Sequence, residues 1–285
     1  MHSINGKTEV LIEALPYITR YEGKTFVIKY GGAAMVDEDL RETFAQDVTL
    51  LKKIGIRLII VHGGGKEITE LAGRLGLESK FVDGQRYTDE EMMGVVQMVL
   101  AGKTNKDIVA RINQHEGNAV GVCGIDGYLL RVRRSTPGGQ DLGYVGEITD
   151  VNTAFLDLLL ANNCLPVVAP IGFNGDSHAY NVNADIAAAA IASALRAEKL
   201  VYLSDVEGVL ADSDLIHSMD QAEGERLIAN KVISRGMIPK VRSAFEALQS
   251  GVSKVHLIDG RIKHSLLLEI FTDTGVGTEL VQTAP

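Results

Sequence analysis

Apolar residues along the chain switch between two periods. Thr25 to Tyr30 is a short β-branched and aromatic run that stops at Gly31-Gly32. From Asp37 onward, Leu40, Phe44, Val48, Leu51 and Ile54 recur at three- and four-residue steps, which predicts an amphipathic helix. Asp37 or Asp39 is placed to cap its start and Gly55 to end it. Leu58-Ile59-Ile60-Val61 is then continuously apolar, followed by His62-Gly63-Gly64-Gly65 and a helix from about 66 to 75. Continuous runs of this kind suit strands buried on both faces of a parallel sheet. Residues 119–122, 165–169, 200–203 and 255–258 repeat the theme, the last two ending at Ser204-Asp205 and Asp259-Gly260. Strand, turn, helix, strand in alternation predicts an α/β fold. Ligands of such folds bind beyond the carboxyl ends of the strands. That is where these glycines and aspartates fall.

Three segments depart from the pattern. Residues 130–148 read as hairpins with a glycine-rich turn, and Arg131, Arg133 and Arg134 read as a solvated strand face. Phe173-Asn174-Gly175-Asp176 is a polar glycine turn after a strand and marks a lobe boundary near residue 173. Before the first strand, Val10, Leu11, Ala14, Leu15, Ile18 and Tyr21 recur at helical spacing, with Pro16 placed to kink the helix. This stripe packs either on its own domain or on a neighbouring chain.

Composition narrows the function classes. The 285 residues are 46% hydrophobic, ample for a large core, and carry a formal net charge of −9. That balance argues against general nucleic-acid or anionic-membrane binding. An anionic ligand must then be held locally, by glycine-rich backbone and a few placed cations. The two cysteines, Cys123 and Cys164, form neither a disulfide framework nor a zinc pattern. The first residues do not read as a signal peptide and no apolar run is long enough to span a bilayer, so a cytoplasmic setting is expected.

Five motifs carry candidate chemistry. Lys29-Tyr30-Gly31-Gly32 and His62-Gly63-Gly64-Gly65 each follow a strand and let backbone N–H groups approach an anion. Asn181-Val182-Asn183-Ala184-Asp185 precedes an alanine-rich helix, so cap residues there double as ligand contacts. Asp185 could orient two lysines that would otherwise repel. Ser204-Asp205-Val206-Glu207-Gly208-Val209 is an acidic turn suited to nucleotide or hydrated Mg²⁺. Gly236-Met237-Ile238-Pro239-Lys240 supplies a second lysine. Ala101-Gly102-Lys103-Thr104 looks like the tail of a Walker A loop, but the leading glycine would fall at Gln97 inside a helical pattern. It reads as a helix end.

In this order, and with Asp83-Gly84-Gln85-Arg86-Tyr87-Thr88, the motifs resemble the amino-acid kinase family from about residue 8 to 280. The nearest likeness is to its arginine-sensitive members that phosphorylate N-acetyl-L-glutamate. The resemblance implies an open αβα sandwich with a mainly parallel central sheet, in two lobes, behind a kinked N-terminal helix. It implies an oligomerisation helix over 1–22, an acetylglutamate lobe over 23–173, and an ATP and arginine lobe over 174–285. Lys29, Lys240 and Asp185 resemble the catalytic group. Gly64, Gly65, Arg86 and Asn181 resemble substrate contacts. Gly31, Gly32, Asn183 and the stretch Ser204, Asp205, Val206, Glu207, Gly208, Val209 and Leu210 resemble the nucleotide site, with Mg²⁺ carried on the ATP phosphates and no direct protein ligand. Tyr17, Lys199, His256, Glu269 and Gly275 match an inhibitory L-arginine site. Helix exchange between dimers would give a homohexamer.

The chemistry agrees with the residue types. Phosphoryl transfer asks for positioning and charge stabilisation. A carboxylate acceptor is already nucleophilic and needs no general base. Arginine suits a bidentate carboxylate grip and lysine a moving phosphoryl group. The alternatives are a family kinase acting on carbamate, aspartate, glutamate or UMP, and a catalytically silent arginine-sensing scaffold.

Overall fold

A computed structural model describes residues 2–82, 84–176, 178–211, 214–233, 237–272 and 275–282, with side chains from residue 9. Eight strands form the central sheet: β1 (Thr25–Tyr30), β2 (Arg57–His62), β3 (Ala119–Cys123), β4 (Leu165–Ala169), β5 (Lys199–Ser204), β6 (Ser218–Met219), β7 (Lys254–Asp259) and β8 (Thr278–Leu280). Their order is β6-β8-β7-β5-β1-β2-β4-β3. The six strands from β7 to β3 are mutually parallel, and β8 runs antiparallel to β7. The long parallel strands are those with unbroken apolar runs.

Alternation along the strands feeds two cores. Val27, Ile59, Val61, Leu200 and Tyr202 pack on one face with the alanine-rich helix 184–194 and the helix 237–249. Phe26, Ile28, Leu58, Ile60, Val201 and Leu203 pack on the other with Phe44, Val48, Leu51, Ile112 and Leu266. Small side chains on the first face let helix Ala184–Ala194 lie close to β1, β2 and β5. The expected hairpin is present, pairing Leu130–Arg134 with Gly146–Val151 in a separate four-stranded sheet. Arg131, Arg133 and Arg134 lie on its solvent side, where Arg133 pairs with Glu147 at 2.6 Å.

We number helices in chain order: α1 (His2–Tyr21), α2 (Glu38–Lys53), α3 (Gly65–Arg74), α4 (Glu90–Gln97), α5 (Asn105–Gln114), α6 (Thr153–Ala161), α7 (Ala184–Ala194), α8 (Gln221–Ala229), α9 (Met237–Gln249) and α10 (Ser265–Ile270). Asp37 caps α2, its side chain accepting from Leu40 N–H at 3.0 Å. One expectation fails. Ala101 to Thr104 is not a helix end, because seven residues of π-helix, Met98–Thr104, join α4 to α5. The looser π hydrogen bonding absorbs Gly102 without breaking the helical run. Helix α1 contains Pro16. Its stripe divides: Tyr21 packs edge-on against Phe26 in the core, while Val10, Leu11 and Leu15 are exposed.

A buried carboxylate lies against the second core. Asp47 on α2 is buried and meets His264 Nδ1 at 2.6 Å. Burial pushes its pKa up to about 6, against the weaker pull of His264. Between its ordinary value and 6 the folded state therefore binds a proton that the unfolded state has released. Stability should fall as pH rises across that window and level off above it. Urea midpoints measured from pH 4 to 8 should show this slope in the native protein, and Asp47→Asn should flatten it.

Candidate active site

Lys29 shares the face of β1 that carries Val27, so alternation points it toward α7. Asp185 is the second residue of α7. Asn183 caps that helix, its side-chain oxygen accepting from Asp185 N–H at 2.8 Å and Ile186 N–H at 3.2 Å. Lys240 stands in the first turn of α9, which packs on α7. The three side chains converge. Lys29 Nζ lies 3.1 Å from Asp185 Oδ1, and Lys240 Nζ lies 3.1 Å from Oδ2. Burial is the largest influence on Asp185 and raises its pKa. The two ammonium groups together outweigh it and hold the carboxyl below its ordinary value.

Each glycine loop follows a strand end. A Cβ on Gly31 would stand 2.5 Å from Lys29 Nζ, so the absence of a side chain leaves the space through which Lys29 reaches Asp185. Gly32 adopts φ +72°, and the Ala33 N–H beyond it donates to the Asp205 carboxylate. The acidic turn thus touches the first glycine loop. In the second loop, a Cβ on Gly64 would meet Leu100 Cδ2 at 2.5 Å. Gly64 caps α3 and Gly65 begins it. Their N–H groups have no acceptor in a preceding helical turn and are available to an anion.

A cavity of about 220 Å³ lies against the second loop, lined by Gly64, Gly65, Arg86, Leu100, Asn181 and Asn183 among others. Arg86 is held on four sides. Its guanidinium donates to Ser79 Oγ at 2.6 Å, Gly65 O at 2.9 Å and Thr69 Oγ1 at 2.8 Å, and covers the Phe81 ring at 4.7 Å. Asn181 donates to Thr88 Oγ1 at 3.2 Å. The remaining residues of the acidic turn divide by burial. Ser204 and Val209 are buried, Val206 and Leu210 are exposed, and Gly208 adopts φ +146° beside Thr278. Glu207 faces solvent in the same turn.

A second cavity, of about 330 Å³, lies at the start of β5 and is lined by Tyr17, Arg20, Lys199, His256, Glu269 and Gly275 among others. Lys199 Nζ lies 2.8 Å from His256 Nε2, and His256 Nδ1 lies 2.6 Å from Glu269 Oε1. Burial lowers Lys199 to about 8. Glu269 also accepts from Val276 N–H at 2.7 Å. The five residues singled out for a regulatory ligand therefore share one cavity. Asp83, Gly236, Asp273 and Thr274, from the same motif stretches, lie outside the described residues, as do Asp212 and Ser213.

The comparisons with known proteins agree on the class. The model of the "Amino acid kinase family" matches residues 24–259. The chain belongs to that family. An acetylglutamate kinase of Chlorobium chlorochromatii is 55% identical over 273 residues, spanning 96% of this chain and 95% of that protein. An acetylglutamate kinase of Aquifex aeolicus is 53% identical over 295 residues, spanning 98% and 99%. Among solved structures, the N-acetylglutamate synthase of Neisseria gonorrhoeae complexed with coenzyme A and N-acetyl-glutamate superposes with a TM-score of 0.88 at 30% identity. That match covers 98% of this chain and 64% of the synthase. The same synthase complexed with coenzyme A and L-arginine gives 0.83 at 29%, covering 97% and 66%.

Sequence reasoning for this family member missed the supports of the site. Ser79 and Thr69 hold Arg86. Neither carries a local pattern, since each works through a partner distant in the chain or in a loop. The Gly31 geometry gives a direct test. Its φ of −173° is open to alanine, and the new methyl would displace only the flexible end of Lys29. Gly31→Ala should keep its melting temperature and lose about 10²-fold in turnover, read by paired thermal and kinase assays.

Proposed function

We propose that the protein transfers the γ-phosphoryl group of ATP to the side-chain carboxylate of N-acetyl-L-glutamate, giving N-acetylglutamyl 5-phosphate and ADP, a step of arginine biosynthesis. What carries this reading is the convergence of Lys29 and Lys240 on Asp185, beside a cavity that also presents Arg86 and Asn181. The acceptor is supported by the high identity to two acetylglutamate kinases over nearly their full lengths.

In this reading Arg86 and Asn181 hold the acceptor's α-carboxylate and acetamido group, leaving its side-chain carboxylate to face the glycine loops. A carboxylate oxygen forms the bond to phosphorus as the bridging oxygen leaves with ADP. Lys29 and Lys240 balance the charge spread over the transferring oxygens, and the Gly64 and Gly65 N–H groups bind between acceptor and phosphate. Asp185 holds the two lysines together. Gly31, Gly32, Asn183 and the turn from Ser204 to Leu210 form the nucleotide side. Bound to the phosphates, Mg²⁺ would neutralise part of their charge, retaining water in place of protein ligands. Residues 23–173 form the acceptor lobe and 174–285 the nucleotide lobe. No described helix is long and apolar enough to cross a membrane, which is compatible with a cytoplasmic enzyme.

The second cavity suits an amino acid with a cationic side chain. Glu269 offers a carboxylate to a guanidinium and Lys199 a cation to a carboxylate. The synthase structure holding L-arginine supports arginine as the inhibitor. The exposed Val10, Leu11 and Leu15 stripe of α1 supports pairing with a second copy, linking dimers into a hexamer.

A coupled assay across N-acetylglutamate, glutamate, aspartate, carbamate and UMP tests the acceptor, and activity with any other of these in preference to the first would overturn the assignment. Lys240→Ala should lower kcat by about 10²–10³, whereas Arg86→Ala should chiefly raise KM for the acceptor. Removing residues 1–22 should preserve turnover and leave dimers by light scattering, and a truncated protein that stays hexameric would exclude α1 as the link.

A further inference from the structure

His62 is completely buried and has no part in the chemistry above, although it opens the second glycine loop. Its neighbour Asn105 is equally buried. The orientation of the Asn105 amide follows from what surrounds it. Its nitrogen lies 2.9 Å from Val167 O, an acceptor only, and 3.1 Å from His62 Nε2. Its oxygen accepts from Lys106 Nζ at 3.0 Å. Asn105 therefore donates to His62 Nε2, which must be unprotonated. The ring proton then sits on Nδ1 and donates to Gly63 O at 2.8 Å. Burial, the dominant influence, holds His62 down to about 4, so the ring is neutral at ordinary pH.

We propose that His62 and Asn105 are positioning residues that fix the Gly63 carbonyl and thereby aim the Gly64 N–H at the reacting phosphoryl group. The proposal rests on the phosphotransferase reading above. The link is covalent geometry. Gly63 C=O and Gly64 N–H belong to one planar trans peptide and point in opposite directions. Anchoring the carbonyl beneath the loop turns the N–H toward the cavity. Three successive glycines have no side chains to restrain that peptide, so the restraint must come from outside the loop.

The π-helical segment supplies it twice. Leu100 presses on Gly64 where a Cβ would stand, and Asn105 follows directly at the start of α5. The widened turn lets the Asn105 side chain reach β2 at His62, β3 at Val122 and β4 at Val167. There Gly121 makes room for it, since a Cβ at that position would lie 1.9 Å from Asn105 Oδ1. The stretch that mimics a phosphate-binding lysine loop in sequence thus serves the phosphate site from below.

Nitrogen-15 NMR of the uninhibited enzyme should show His62 as the neutral Nδ1–H tautomer from pH 8 down to 5. An Nε2–H tautomer, or an imidazolium in that range, would overturn the hydrogen-bond assignment without reference to activity. In acetylglutamate phosphorylation, His62→Leu removes donor and acceptor and should cost about 10²-fold in kcat with KM for both substrates within threefold. His62→Gln restores one donor and one acceptor and should recover at least tenfold of that loss. Should His62→Leu fail to fold, Asn105→Ala, which frees Nε2, should show the same kcat-selective loss at a melting temperature that still permits assay. Unchanged kcat in either folded variant would exclude the positioning role. An inactive native enzyme would instead refute the acceptor assignment, leaving the NMR result to judge the His62 bond.

Discussion

Two ammonium groups on one small centre repel, and the site exists only because a carboxylate is fixed between them. Unit charges about 4 Å apart interact by roughly 4 kcal/mol at the effective dielectric of a protein surface. Asp185 converts that repulsion into two 3.1 Å ion pairs. The carboxylate itself is expensive to bury, and it tolerates burial because it is paired on both sides. Its placement therefore governs the rest. Asn183 caps the helix that carries it, the alanine face of α7 brings that helix down on β1, and Gly31 leaves room for Lys29 to reach it.

This arrangement explains how a chain with a formal charge of −9 can work on two anions. Net charge sets the distant field, while ligand binding depends on groups within a few ångströms. The parallel strands deliver those groups together. β1, β2, β5 and β7 all end on one edge of the sheet, at Gly31, Gly63, Asp205 and Gly260 respectively. Backbone N–H groups supply donors that add no net charge. In the proposed reaction, lysines serve where charge moves and an arginine where a carboxylate must be oriented.

The strands were legible because burial on both faces forces continuous apolar runs, as at Leu58 to Val61. The helix α2 was legible because one face is buried and its cap is local. The lysine and aspartate motifs were legible for a different reason: strand ends and helix starts confine them to glycine-flanked or cap positions. What escaped were contacts whose partners are far apart in sequence. Arg86 leans on Thr69, Asn105 on Val167, and Arg86 on the carbonyl of Gly65. The π-helical turn also escaped, because a glycine followed by polar residues in a helical register is equally the signal of a terminus. Hydrogen-bond spacing, which decides between the two, leaves no trace in residue type.

The second cavity and the acidic turn occupy opposite ends of one strand. β5 begins at Lys199, in the cavity with His256 and Glu269, and ends at Ser204 beside the acidic turn. The six residues of β5 put about 17–20 Å between the Lys199 cavity and that turn. A strand buried along its whole length, with β1 and β7 bonded to either side, does not deform gradually under a small load. A ligand at the Lys199 end can alter the catalytic end only by favouring one packing of the elements around β5 over another. Those elements are α1, through Tyr21, and α10, through Glu269, and both belong to the core on the face opposite Asp185. Any influence on the lysine pair must therefore pass across the sheet to β1 and α7, through the register that joins Lys29 to Tyr202.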